Sequence, residues 1–236
     1  MFVGILFTVI ISLSIGMFST LVWRRRRAVN YRFSSPGIQA FSLFWLTMSV
    51  VWYIIAAIDF LGYLGRRDIS LPLTYIMQAF VGFSLVVASY FLYQTLFPAE
   101  RPRFILFIYG ILYFVFLATL FVYDVQLRPD SFFASQIIVS DATRFIFVAS
   151  VIPLLVASAV LFILYYGGIR RPERAVRRFY ILSGLSLVFL GVAGSIDEIG
   201  LVWDWMVTAT RLITLISAIS GYVSLAALQE SDELVI

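Results

Sequence analysis

A 236-residue chain that is 62% hydrophobic and 13% charged, with a mean hydropathy of +0.99, departs from soluble domains, which are about 45–50% apolar and about 25% charged. It has no Cys, no His and no Lys, and its 17 basic residues are all Arg. Those absences exclude thiolate and imidazole metal sites, ordinary haem ligation, Ser-His or Cys-His catalysis and Schiff-base chemistry. A net charge of +4 is read as a topology signal of a membrane protein, with no nucleic-acid partner.

About 20 apolar residues suffice to cross a bilayer, and seven segments qualify: 2–23, 38–63, 72–97, 104–123, 145–167, 179–199 and 202–228. The first lacks a basic leader and ends in "WRRRR" without a small-residue cleavage site, so it reads as a retained anchor. The connections after spans one, three and five carry twelve arginines: Arg24, Arg25, Arg26, Arg27, Arg32, Arg101, Arg103, Arg170, Arg171, Arg174, Arg177 and Arg178. The other side carries four, Arg66, Arg67, Arg128 and Arg144, and most of the acids. Arg-rich connections stay cytoplasmic. The expectation is an all-α integral membrane protein of the cytoplasmic (inner) membrane. It is a single seven-helix bundle over 1–236, N-terminus outside and C-terminus cytoplasmic. Residues 124–144 are the only sizeable non-spanning piece and are expected to lie along the interface or cap the bundle.

Two stretches echo each other. "RRRRAVNYRF" follows span one and "RRPERAVRRF" span five; "AAIDFLG" closes span two and "GSIDEIG" span six. The pattern suggests a 3+1+3 duplication, with repeats 1–97 and 145–228 joined by helix 104–123 and related by an axis along the membrane normal. This arrangement is similar to that of the SWEET sugar transporters. Seven helices with an outside N-terminus also resemble rhodopsins and the seven-helix sensor modules ahead of some bacterial kinases. Both are likenesses of shape: there is no Pro-Gln pair, Pro153 is the only proline well inside a span, and span seven has no Lys.

The charge that needs explaining is Arg211, inside the apolar run of span seven. A lone Arg at the centre of a membrane helix costs about 2.5–3.5 kcal/mol on insertion scales. Counting depth back from the turn near residue 201 brings its guanidinium toward Asp197, with Asp59 the second candidate partner and Glu198 the third. The expected role is a structural latch between helices, with an outward-facing ligand or ion site as the alternative. Small residues recur every three or four positions in spans one and seven (Gly4, Thr8, Ser12, Gly16, Ser19; Thr210, Thr214, Ser217, Gly221, Ser224), which favours close packing. Gln78, Tyr75 and Thr214 are the candidate lining of a polar cavity. Trp45 and Trp52, seven residues apart in span two, are assigned to packing.

No cofactor and no metal site are expected, and no enzymatic activity. The expected partners are the bilayer and other membrane subunits or a second copy of the chain. The function expected is an accessory, scaffold or sensor-like module acting through a partner. The alternative is a small-solute or ion transporter made of two three-helix repeats with an outward-facing Arg/Asp site. A water-filled cavity from Arg211 down to Gln78 favours transport; a dry, packed interior favours the scaffold or sensor. For the topology, tag-accessibility mapping is expected to place residues 24–27 and 170–178 on the same face of the membrane. Finding them on opposite faces would overturn the seven-span reading.

Overall fold

The computed structural model describes residues 2–25, 36–97, 103–123, 125–128, 136–170, 173–199 and 204–233. Seven helices cover most of them: α1 (Phe2–Arg25), α2 (Pro36–Tyr63), α3 (Arg67–Leu96), α4 (Arg103–Val122), α5 (Asp141–Tyr166), α6 (Arg174–Ile199) and α7 (Asp204–Glu233). Each contains a stretch long and apolar enough to cross a membrane, as a multi-pass membrane protein requires. The end of the bundle where α1, α3, α5 and α7 start is called the upper end; the arginine-rich end where they finish is the lower.

Local sequence explains where several helices begin and stop. Ser140 caps α5, its Oγ accepting from the Thr143 amide at 3.1 Å, and Asp141 places a carboxylate in the first turn. Both satisfy the exposed amides of a helix start. Gly65 (φ 72°) ends α2. The Arg66 amide donates to the Leu61 carbonyl at 2.9 Å and the Gly65 amide to Gly62 at 3.1 Å, the paired bonds of a Schellman turn. That turn lets α3 start almost at once. At the lower end of α5, Arg177 donates from Nε to the Tyr165 carbonyl (3.0 Å) and from Nη2 to that of Tyr166 (2.9 Å). A cation there matches the negative end of the helix.

The helices form a ring in chain order. Each packs on the next, α1 closes the circle against α7, and α4 sits outside against α3 and α5. The chain's spacing of small residues explains this closure. In α7 the buried positions Arg211, Thr214, Ala218, Gly221, Leu225 and Leu228 step by three and four, and Leu212, Ile216, Ile219 and Val223 are exposed on the opposite face. Thr8, Ser12, Gly16 and Ser19 form the buried counterpart on α1. Small side chains let backbones approach, and aromatic rings fill the spaces they leave. A β-carbon at position 221 would lie 2.7 Å from the Trp45 indole, and one at position 16 would lie 2.8 Å from the Tyr53 ring.

Towards the lower end the interior is aromatic. Phe41, Trp45, Phe91 and Phe179 are all fully buried. Phe41 lies 6.3 Å from Trp45, 5.0 Å from Phe91 and 5.5 Å from Phe179 by ring centroid. α4 is the most exposed helix: Phe104, Phe107, Phe114 and Phe121 point away from the bundle, as lipid-facing side chains do.

The described part of the stretch 124–144 holds a hairpin that the sequence did not announce. Gln126–Arg128 and Gln136–Ile138 pair as two short antiparallel strands, β1 and β2, and the last residues of the stretch begin α5. Val125 and Val139, flanking the hairpin, are buried with Phe116, Leu120, Phe147 and Val151. The centre of "SFFASQII" lies partly outside the described residues.

The glycine sockets give a direct test. Gly221→Ala drives a methyl into Trp45 and is expected to destabilise the detergent-solubilised protein by about 1–3 kcal/mol. Gly110→Ala on α4, where a β-carbon meets nothing within 4 Å, is expected to leave thermal stability unchanged or raise it.

Candidate functional site

Arg211 lies seven residues into α7, about 10 Å below its upper end at the helical rise, and is 8% exposed. Its Nη1 makes three contacts: Asp59 Oδ2 at 2.7 Å, Ser12 Oγ at 2.6 Å and the Thr8 carbonyl at 3.4 Å. Asp59 is 2% exposed. The ion pair therefore joins α7 to α2 across α1, at the seam where the ring closes. It has the geometry of a charge-assisted hydrogen bond in a low-dielectric interior. Coulombic attraction is strong there, and desolvation of an unpaired charge is costly.

The partner is Asp59 and not the first-ranked Asp197. Hairpin depth places Asp197 opposite Arg211, but the guanidinium turns toward α1 and α2. Asp197 is exposed, lines the same cavity and makes no hydrogen bond among the described residues. The side chain of Glu198 lies outside the described residues.

Beside the ion pair runs a cavity of about 420 Å³ between α2, α3, α5, α6 and α7, within the size range of small-molecule sites. Its upper wall carries Asp59, Arg144, Asp197, Thr210 and Arg211. Trp52, Gln78 and Thr214 follow below, and then a mostly apolar shaft reaching Phe44, Leu92, Leu154 and Leu187. Ser84 and Ser158 also line it, but each hydroxyl is bonded to its own helix, to the Val81 carbonyl at 2.6 Å and the Leu154 carbonyl at 2.7 Å. Thr214 likewise donates to Thr210 at 2.9 Å. The buried rings of Phe41, Trp45, Phe91 and Phe179 belong to the lower end of the bundle and do not line the cavity.

Three atoms in this wall have no hydrogen-bond partner among the described residues: Arg144 Nε at the upper rim, and Gln78 Oε1 and Trp52 Nε1 midway. Gln78 is 4% exposed and its Oε1 accepts no hydrogen bond; Trp52 is 8% exposed and its Nε1 donates none. A buried amide or indole N–H without a partner costs free energy, so these two atoms mark where the wall is incomplete. The Trp52 ring also lies 6.0 Å from Arg211 Cζ, at the outer limit of a cation–π contact.

Of the sequence-derived lining, Gln78 and Thr214 face the cavity and Tyr75 does not. The Tyr75 hydroxyl accepts from the Val125 amide at 3.3 Å, and its ring stacks on Phe121 at 5.9 Å. It serves the β-hairpin. Trp52 and Arg144 are lining residues that the sequence reading did not place. The signal for Trp52 was present: Trp52 and Asp59 are seven residues apart, hence on one face of α2. Among the described residues no three acidic groups converge as a metal site would require.

The chain is similar to no protein-family model, no curated protein and no solved structure at a significant level. The site's chemistry is therefore argued from its own atoms.

The ion pair predicts its own energetics. Arg211→Leu is expected to destabilise the protein by about 3–5 kcal/mol, because it leaves the Asp59 carboxylate buried without its cation. Arg211→Leu combined with Asp59→Asn is expected to recover much of that loss in thermal unfolding. Equal damage in the single and double variants would show that the pair is not coupled.

Proposed function

We propose that the chain is a non-enzymatic, sensor-like seven-helix module of the cytoplasmic membrane, with its N-terminus outside. It binds a small ligand in a cavity below the outer surface and acts through a partner protein. The observation that carries this reading is the cavity itself: about 420 Å³, walled by five helices, with charged groups above, two unpartnered polar atoms midway and an apolar lower half. A mostly apolar shaft with a few placed polar groups is the usual composition of a ligand site. A dry, purely packed scaffold would lack it, and that form of the accessory reading is set aside.

The same helices supply a route to a partner. Arg211 belongs to α7, whose apolar span is Met206–Leu228. The helix continues to Glu233, about 7 Å further at the helical rise. On the topology argued from the arginines, that extension enters the cytoplasm. A ligand that shifts α7 against α2 would move this end as part of one rod.

Transport is the second reading. The specific observation in its favour is that the cavity reaches from Arg211 to Gln78, between the suspected three-helix units, with Asp59 and Asp197 at echoing helix ends. Against it stands the lower half: below Gln78 the lining hydroxyls are bonded to their own helices, and the rest of the lining there is apolar. A hydrophilic solute would find no replacement there for its hydration.

Native mass spectrometry of the protein released from its own membrane tests the choice. The expected spectrum shows the chain with one small-molecule adduct and a partner chain. Gly194→Leu is expected to lose the adduct and keep the partner. Position 194 lines the cavity and a β-carbon there meets only Phe147, at 3.8 Å. A bare chain in both forms would overturn the ligand-binding reading. An isolated chain that moves solute across liposomes would replace it with transport.

A further inference from the structure

We infer that the cavity takes an uncharged, single-chain amphiphile with a hydroxyl head, such as a long-chain or isoprenoid alcohol. Its hydroxyl sits between Gln78 and Trp52, and its hydrocarbon runs down the apolar shaft. The inference deepens the ligand-binding reading and rests on it.

Equal depth and a shared cavity bring the two groups to one level of the wall. Trp52 lies eleven residues before the end of α2 at Tyr63, and Gln78 eleven residues after the start of α3 at Arg67. The Gly65 turn joins those ends tightly, so both side chains sit about 16 Å below the upper end on adjoining helices. One offers an unused donor, Trp52 Nε1, and the other an unused acceptor, Gln78 Oε1. A hydroxyl is the smallest group that accepts from the first and donates to the second. A carbonyl would leave the Gln78 oxygen unmet, and a bare hydrocarbon would leave both.

Net charge gives an ionic head no advantage. The ionisable groups of the lining are Asp59, Asp197, Arg144 and Arg211, two of each sign. Asp59 and Arg211 hold each other at 2.7 Å, and Arg144 Nη1 contacts Asp141 at 3.2 Å. An ammonium head would enter past two guanidinium groups, and a carboxylate head past Asp197. Either ion would exchange water for a site of no net opposite charge, which is unfavourable in a low dielectric. A hydroxyl incurs no such cost.

Shape fits the tail. From Trp52 down to Phe44 is eight residues and from Gln78 down to Leu92 fourteen, or about 12–21 Å along the bundle axis. Met48, Val81, Leu85, Ala88, Leu154 and Leu187 line that length. An apolar lining of this length matches one extended hydrocarbon chain.

The test uses full-length protein in nanodiscs and three probes with one diazirine-bearing alkyl chain, ending in a hydroxyl, a carboxylate or an ammonium. The hydroxyl probe is expected to crosslink saturably to cavity residues such as Leu85, Ala88, Leu154 and Leu187, displaced by excess unlabelled alcohol. The charged probes are not. Gln78→Leu and Trp52→Phe are each expected to weaken saturable labelling about tenfold, the loss of one hydrogen bond. Both variants remove a polar atom that has no partner in the free protein, so their thermal stability should match or exceed the parent's, which separates lost binding from lost folding. Equal saturable labelling by a charged probe, or full labelling in Gln78→Leu and Trp52→Phe, would overturn the hydroxyl assignment while leaving the cavity a ligand site. No saturable labelling inside the cavity by any of the three probes would overturn the ligand-binding reading as well.

Discussion

A guanidinium that cannot reach water must meet a carboxylate, and that constraint organises the upper half of this bundle. Arg211 is the one basic residue in the middle of an apolar run. Its contacts on Asp59, Ser12 and Thr8 draw three helices to one point. The first and last helices of the ring meet at a junction that no connecting turn holds, and the ion pair lies there. Apolar packing alone would not fix the register of α7 against α1, because lipid tails compete with side chains for apolar contact. A buried charge pair does fix it, since a shift of one turn, about 5.4 Å, would separate the charges.

Below that pair the two halves of the interior solve the packing problem differently. Near the lower end, glycine and alanine positions face large rings: Trp45 sits against Gly221, and Phe41, Phe91 and Phe179 interlock. In the upper half the cavity lining of α3 and α6 includes Gln78, Gly191 and Gly194, and a β-carbon at position 194 would meet only Phe147, at 3.8 Å. The cavity follows from this asymmetry of side-chain size, within helices of nearly uniform hydrophobicity. The polar residues in its wall could have been spent on interhelical hydrogen bonds, as Ser217 is on the Ser186 carbonyl at 2.6 Å. Gln78 and Trp52 are not.

Much of the fold was legible because bilayer thickness and hydropathy constrain it strongly. All seven spans appear as helices, although α5 and α6 begin four or five residues before their apolar cores, where Ser140 and Arg174 sit. The β-hairpin was not legible, since "SFFASQII" is apolar without being long enough to span and carries no decisive turn pair. At the site, the need for an acidic partner to Arg211 was readable and Asp59 was among the three acids considered. The choice between them was not, because axial depth says nothing about which way a side chain turns around its helix. Tyr75 was misplaced for the same reason: it is three residues from Gln78, near enough in depth, yet its ring faces α4 and the hairpin.

The two acids of the echoed Ile-Asp helix ends come out unequal. Asp59 is buried, bonded to the guanidinium and part of the seam. Asp197 lines the cavity within range of the Arg211 charge and makes no hydrogen bond among the described residues. One Arg cannot serve both carboxylates equally well, so one forms the latch and the other remains part of the cavity wall. The paired acid stabilises the closed ring. The unpaired one leaves the upper rim with balanced but separated charges, which disfavours an ion of either sign and leaves a neutral hydroxyl compound with its hydrogen bonds to make further down. Selectivity in this reading comes less from attraction at the rim than from what the rim fails to neutralise.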